Sequence, residues 1–307
     1  MNQLTNKNVY IYGAGVYGER ALIYSKDKFD VTAFVDQRAD NGFVEYHSKP
    51  VISKSELLSI TEDIVVIIAM RYPSEILNYL IGALNIQLYI FDGSNTENLF
   101  LYKVENSEIC SPEYFDKVYT EWKPYSEHYS KQDPFILNVF NKALESIKIL
   151  KKDSKIIEIG CGSGLFANML FDNGYTNYLG IDFSLQAINL AKKANAAYEE
   201  YFICDNAFEF LNTYSEMDNS VFIIFEVLEH INNDIDLLEL IPANSKIIFS
   251  VPNFKSFNHL RTFNDLDEIE KRYTMLKINS YYELPSKIDG YVYHLCEAVK
   301  KENIINE

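Results

Sequence analysis

Two clusters of small residues and carboxylates in the 307-residue sequence have the types and spacing to do chemistry. The first, Gly13-Ala14-Gly15-Val16-Tyr17-Gly18, follows the apolar run VYIY and opens a helical pattern. The second, Glu158-Ile159-Gly160-Cys161-Gly162-Ser163-Gly164, follows KII and does the same. Each is followed by an acid that closes the next apolar run: Asp36 ends VTAFVD, 21 residues past Gly15, and Asp182 ends YLGID, 20 past Gly162. About 20 residues is the spacing at which a strand-borne carboxylate meets the ribose hydroxyls of a nucleotide held at such a turn. The two copies differ two residues before the first glycine, where one has Ile11 and the other Glu158. A carboxylate there repels a pyrophosphate placed on the helix N-terminus, and suits a ligand that has no phosphate and carries positive charge.

More polar residues follow the second turn. Asp205-Asn206 comes after EYFIC, and Glu226, Glu229 and His230 lie in EVLEH after VFIIF. These positions fall at strand C-terminal ends, the edge where open α/β sheets bind ligands. His230, whose ordinary pKa is nearest neutrality, is the candidate general base, with Glu229 as its catalytic partner. The competing reading is that His230 only hydrogen-bonds a loop or a backbone carbonyl.

With SVPN ending at Asn253, these motifs make residues 111–307 resemble a class I S-adenosylmethionine-dependent methyltransferase. The resemblance implies S-adenosylmethionine as cofactor. Glu158, Gly160, Gly162 and Gly164 would let backbone approach its methionine and ribose portions, and Asp182 would hold both ribose hydroxyls. Phe183 would face the adenine plane and Asp205 its amine, with Asn206 and Phe225 completing the set. An aromatic arm, KPYSEHYSKQDP, precedes the domain where this family often places a lid, and Tyr125 and Tyr129 are its cofactor-facing candidates. Tyr119 and Trp122, in a helical context, read as packing residues. Glu226, Glu229, His230 and His259 resemble the metal set of small-RNA 2′-O-methyltransferases. EVLEH also occurs in metal-free relatives, and the reading adopted has no metal.

Residues 8–92 resemble the nucleotide-binding domain of bacterial sugar acyltransferases and nucleotide-sugar modifying enzymes, on GAGVYGER, the AFVD strand end and KPVI. That implies a second site, Gly13, Gly15, Gly18 and Asp36, for a nucleotide, nucleotide-sugar or dinucleotide. The alternative is a degenerate domain kept for dimerisation, which would make the protein a homodimer. Arg71, Tyr72 and His47 form no acid–base motif, so this half reads as a binding module.

Strands alternating with helices must position both clusters. The fold class expected is α/β with two Rossmann-like domains: a small N-terminal parallel sheet over 1–95 and a seven-stranded methyltransferase sheet over 111–307. Residues 96–110 read as a linker and 111–150 as a helical lid, and two consecutive extended segments near the end predict an antiparallel edge hairpin. A net charge of −16 argues against nucleic acid or an anionic membrane as partner and favours a small-molecule or sugar-related substrate. Four cysteines without paired spacing, no leader-like start and no long apolar run predict a cytoplasmic protein with no membrane insertion. The function expected is O-methylation of a sugar or nucleotide-sugar acceptor in surface-polysaccharide biosynthesis. A small aromatic or quinone-like acceptor, or a non-catalytic nucleotide-sensing scaffold, are the alternatives.

Overall fold

Runs of β-branched and aromatic residues build two sheets, one in each of the two compact units of the chain. The units are Met1–Ile109 with Ser256–His259, and Cys110–Lys255 with Leu260–Glu307. The computed structural model describes residues 7–70, 76, 80, 85–92, 100–103, 111–121, 128–217, 219–256 and 259–302.

In the first unit, strands β1 (Asn8–Tyr12), β2 (Val31–Val35), β3 (Glu45–Tyr46), β4 (Lys49–Ile52), β5 (Ile64–Ile68), β6 (Ile86–Asp92) and β7 (Phe100–Lys103) lie in the order β3-β4-β2-β1-β5-β6-β7. The five central strands are parallel. IVVII of β5 is buried at every position, as a strand covered on both faces must be. Helix α1 (Val16–Ser25) follows the glycine turn. Helix α2 (Lys54–Leu58) starts at Ser53 in a capping box with Glu56. The expected wholly parallel sheet is corrected at its edges, where β3 and β7 run antiparallel to their neighbours. Strand β7 also falls inside the expected linker: FLYK is too short for its alternation to stand out of a polar stretch. The stretch from Pro73 to Leu84, whose sequence reads as a Pro-started helix, lies outside the described residues apart from 76 and 80.

The second unit opens with helices α3 (Pro112–Glu121) and α4 (Pro134–Ile147), the latter capped by Asp133 with Pro134 in its first turn. Then come β8 (Ile156–Ile159), α5 (Leu165–Asp172), β9 (Tyr178–Asp182), α6 (Leu185–Ala194), β10 (Phe202–Cys204), α7 (Ala207–Thr213), β11 (Val221–Phe225), α8 (Asp234–Glu239) and β12 (Lys246–Pro252). Helix α9 (Leu266–Arg272) precedes β13 (Leu276–Pro285) and β14 (Val292–Lys300). The sheet order is β10-β9-β8-β11-β12-β14-β13, with β14 antiparallel to both neighbours, which is the expected edge hairpin. Alternate residues of β12 enter two cores: Ile248 joins the one under α4 and α5, while Ile247, Phe249 and Val251 join the one under α8 and α9. The chain leaves β8 toward β9 and β10, then returns to place β11 on the other side of β8. The carboxyl ends of β8 and β11 therefore flank a topological switch point, where ligands of open sheets bind. No helix among the described residues is long and apolar enough to cross a membrane.

Candidate active site

The second glycine turn leaves β8 with Gly160, Gly162 and Gly164 at φ of +71°, +54° and +72°, a region side chains rarely adopt. At Gly162 the space is also taken: a Cβ would lie 2.7 Å from the Tyr119 hydroxyl, carried by α3. Asp182, at the end of β9, is buried and accepts the Gly162 N–H on Oδ2 and the Ser184 N–H on Oδ1, each at 2.9 Å. Each oxygen thus takes one well-formed hydrogen bond, the Phe183 N–H adds a weaker pull, and acceptor capacity for hydroxyls remains. Burial first, then the nearby Asp116 charge, push the Asp182 carboxyl up to about 6 against the pull of its backbone donors.

Glu158 is buried on β8 and accepts the Tyr178 hydroxyl at 2.5 Å. Burial holds its carboxyl up at about 8, so without a cation beside it the group is mostly protonated at neutral pH. Asp205 Oδ1 takes the Asn206 N–H at 2.7 Å. Asn206 is itself the N-cap of α7, its side chain accepting from Phe208 N–H, so the expected ligand contact competes with a structural role. Phe183 is half-buried and meets Phe115 of α3 at 5.4 Å between ring centroids.

Past β11 the chain turns through Glu226 at φ +53°, a strained conformation for a residue with a Cβ. Ser250 holds it there, its hydroxyl donating to Oε1 at 2.8 Å and accepting the Glu226 N–H at 3.1 Å. Glu229 is wholly buried, and neither of its oxygens takes a well-formed hydrogen bond from a described residue. Burial drives both carboxyls upward, Glu226 to about 7, and the neighbouring Glu226 charge raises Glu229 further. Two such groups side by side hold a proton between them more readily than two charges. His230 Nε2 is 3.8 Å from Glu229 Oε1, and the ring meets Phe115 edge-on at 5.8 Å. Arg261 is engaged elsewhere, donating to the carbonyls of Leu228, Ile231 and Asn232 and pairing with Asp234. Beyond lie Phe254, stacked on Tyr291 at 4.9 Å, and Tyr293, whose hydroxyl acidity is suppressed to about 12 by burial and then by the Glu226 charge.

Several expected site residues stand elsewhere. Tyr129 stacks on His128, which pairs with Asp172 at 3.2 Å. Asp172 ends α5, whereas the glycine turn begins it, so about 10 Å of helix separates Tyr129 from the expected donor site. Tyr125 lies outside the described residues. Phe225 is half-buried and packs its ring on Phe166 and Phe140, at 4.9 and 5.9 Å, at the margin of the core. Of the four-residue metal set, Glu226, Glu229 and His230 all follow β11 within the second unit. Sequence reasoning passed over Asp116, Ser184 and Ser250, and treated Tyr119 as packing. The one available signal was helical spacing, which puts Phe115 and Tyr119 on one face.

In the first unit, the glycine turn is arranged differently. Gly18 is needed for packing, since a Cβ would fall 1.9 Å from the Gly13 carbonyl oxygen, whereas a Cβ on Gly15 meets nothing. Asp36 is saturated: Oδ1 accepts from Arg38 N–H and Nε, and Oδ2 from Ala14 N–H and an Arg38 Nη. The Arg38 guanidinium holds this carboxyl down at about 2. The spacing that suggested a ribose acid is present, but its acceptor directions are taken from within.

Comparison with known proteins gives one family and a group of folds. The sequence pattern of a family described as a methyltransferase domain matches residues 129–284. A search of curated protein sequences finds no match. Among solved structures, the N-methyltransferase NodS from Bradyrhizobium japonicum WM9 in complex with S-adenosyl-L-homocysteine is similar at 13% identity and a TM-score of 0.45, covering 62% of this chain and 98% of that one. The magnesium protoporphyrin IX methyltransferase of Synechocystis PCC 6803 with bound S-adenosyl-L-homocysteine is similar at 14% and 0.41, covering 54% and 84%. The [4+2]-cyclase SpnF is similar at 10% and 0.42, covering 50% and 78%.

Proposed function

This chain belongs to the methyltransferase-domain family, and from that premise we propose that it methylates a hydroxyl of a sugar or nucleotide-sugar acceptor, in surface-polysaccharide biosynthesis, using S-adenosylmethionine. The observation that carries the donor half is the contrast between the two strand-end acids. Asp182 takes one well-formed hydrogen bond on each oxygen, whereas Asp36 takes two on each. The buried Glu158 supports the same reading, because a protonated carboxyl held at about 8 ionises when a positively charged ligand arrives. The residues present therefore fit this cofactor, which supplies a methyl group activated on a sulfonium.

The chain's own work is alignment and proton removal. Asp182 takes the ribose hydroxyls, Asp205 the adenine amine, and the Gly160–Gly164 turn the backbone approach. His230 Nε2 would accept the proton of the acceptor hydroxyl, with the Glu229 carboxyl, which burial and the Glu226 charge keep protonated, 3.8 Å away. Phe254, Tyr291 and Tyr293 offer ring faces for the acceptor near Glu226. Those same faces favour a second reading, a small aromatic or quinone-like acceptor.

For the first unit we propose a nucleotide-sugar-holding module whose Asp36 becomes available only when Arg38 swings away. Its support is the open approach at Gly15. Calorimetry with S-adenosylmethionine tests the donor half: binding by the wild type that Asp182→Ala abolishes is the expected result, and no binding by the wild type ends it. Mass spectrometry of glycans and metabolites from cells lacking the protein tests the acceptor. A lost 14-dalton increment on a sugar supports the first reading, and one on an aromatic metabolite the second.

A further inference from the structure

Helix α3 lies before the methyltransferase sheet in sequence and carries three side chains onto the donor site. Tyr119 sets its hydroxyl over Gly162. Phe115 fills the space between Phe183 and His230. Asp116 does something more specific: one of its oxygens, Oδ1, accepts the Ser184 hydroxyl at 2.6 Å and the Gln186 N–H at 3.1 Å. Ser184 is the N-cap of α6, and its Oγ also accepts the Ala187 N–H. The first turn of α6 is thus capped jointly, by its own serine and by a carboxylate from α3, placed where the helix dipole favours negative charge. Asp116 Oδ2 takes no bond from a described residue.

Ser184 connects the two acids at this site. Its N–H donates to Asp182 and its hydroxyl to Asp116, so α3 is fastened to the residue two past the expected ribose acid. We propose that Asp116 is a positioning residue that latches α3 over the methyl donor, closing when the donor engages Asp182, with Tyr119 as the contact that roofs the glycine turn. This rests on the donor reading above. The coupling has a direct physical source. Two carboxylates bridged by one serine repel each other, and hydroxyl groups donated to Asp182 relieve that repulsion, so the donor favours the latched state and the latch favours the donor.

The test uses the full-length protein and S-adenosyl-L-homocysteine as probe, with hydrogen exchange of residues 112–121 as the readout beside affinity. In the wild type the probe is expected to slow exchange across α3. Asp116→Ala should weaken binding at least tenfold, chiefly through faster dissociation, and abolish that protection, an effect well beyond the modest drop in melting temperature that loss of its two capping bonds to α6 brings. Asp116→Asn keeps an acceptor oxygen but loses the charge, so α3 should exchange slowly with and without probe. Tyr119→Phe should speed dissociation without unlatching α3. Wild-type α3 that exchanges equally with and without bound probe, or Asp116→Ala that binds and dissociates like wild type, overturns the latch with the donor reading intact. A wild-type protein that binds no probe overturns both. If Asp116→Ala fails to fold, the wild-type exchange comparison decides alone.

Discussion

Binding of S-adenosylmethionine should release about one proton at pH 7. The perturbation is the arrival of a positively charged ligand at two carboxyls that burial has made weak acids, Glu158 at about 8 and Asp182 at about 6. At pH 7 the first is protonated in roughly 0.9 of free molecules and the second in roughly 0.1. Both must be ionised in the complex, Glu158 beside the positive charge and Asp182 as acceptor of hydroxyl hydrogens, so release sums to about one. Since the complex holds fewer protons than the free protein, affinity rises with pH. Integrating both groups makes binding about a hundredfold weaker at pH 6 than at pH 8, most of it from Glu158. The assay is calorimetry at pH 7 in buffers of different ionisation enthalpy, where the slope of observed enthalpy against buffer enthalpy counts the protons. Glu158→Gln should lower that slope to about 0.1, leaving only the Asp182 share. A wild-type slope of zero, or affinity independent of pH between 6 and 8, would refute the assignment of Glu158 as the acid that answers the donor's charge.

Four further outcomes are expected. Gly18→Ala forces a Cβ onto the Gly13 carbonyl and should destabilise the first unit by about 1–3 kcal/mol in urea unfolding. At Gly15 an added Cβ meets nothing within 4 Å, so Gly15→Val should leave unfolding near the wild-type value while removing any thermal shift given by nucleotide-sugars. Arg38→Ala should release the Asp36 carboxyl from about 2 toward its ordinary value, visible by NMR titration, and should enlarge thermal shifts from nucleotide-sugars if Arg38 is what blocks the acid. Asp234 is buried and takes a bidentate grip from Arg272, a hydroxyl from Tyr273 and the charge of Arg261, so Asp234→Ala should cost about 3–5 kcal/mol in urea unfolding by leaving buried positive charge unpaired.

The parallel sheets were legible because buried strands such as IVVII and VFIIF are apolar at nearly every position, and the edge hairpin because two extended segments follow each other without a helix. Strand β7 was hidden because four residues give period two no room to register. The aromatic arm misled for a related reason: Tyr129 carries the right ring chemistry, but its place is set by Asp172 at the far end of α5, a contact 43 residues away that no local pattern announces. Asp116 was invisible on the same ground, since a helix-capping carboxylate 68 residues upstream of Ser184 has no periodic signature.

The two glycine turns carry the sharpest lesson about what spacing can tell. Both place an acid about 20 residues on, and both strands deliver that acid to the turn, where Asp36 accepts Ala14 N–H and Asp182 accepts Gly162 N–H. The topology is the same and each acid takes one turn N–H, that of Ala14 between the first two glycines in one and that of the second glycine, Gly162, in the other, so neither separates a ligand site from a sealed turn. What separates them is the next polar neighbour. Arg38, two residues after Asp36, folds back and fills the remaining acceptor directions, while Ser184, two residues after Asp182, offers one N–H and turns its hydroxyl to Asp116. A guanidinium supplies enough donors to saturate a carboxylate and a serine does not. The residue two past the acid, arginine or serine, therefore decides whether this turn presents an open acid to a ribose, and exchanging Arg38 for serine is the change that should make the first turn resemble the second.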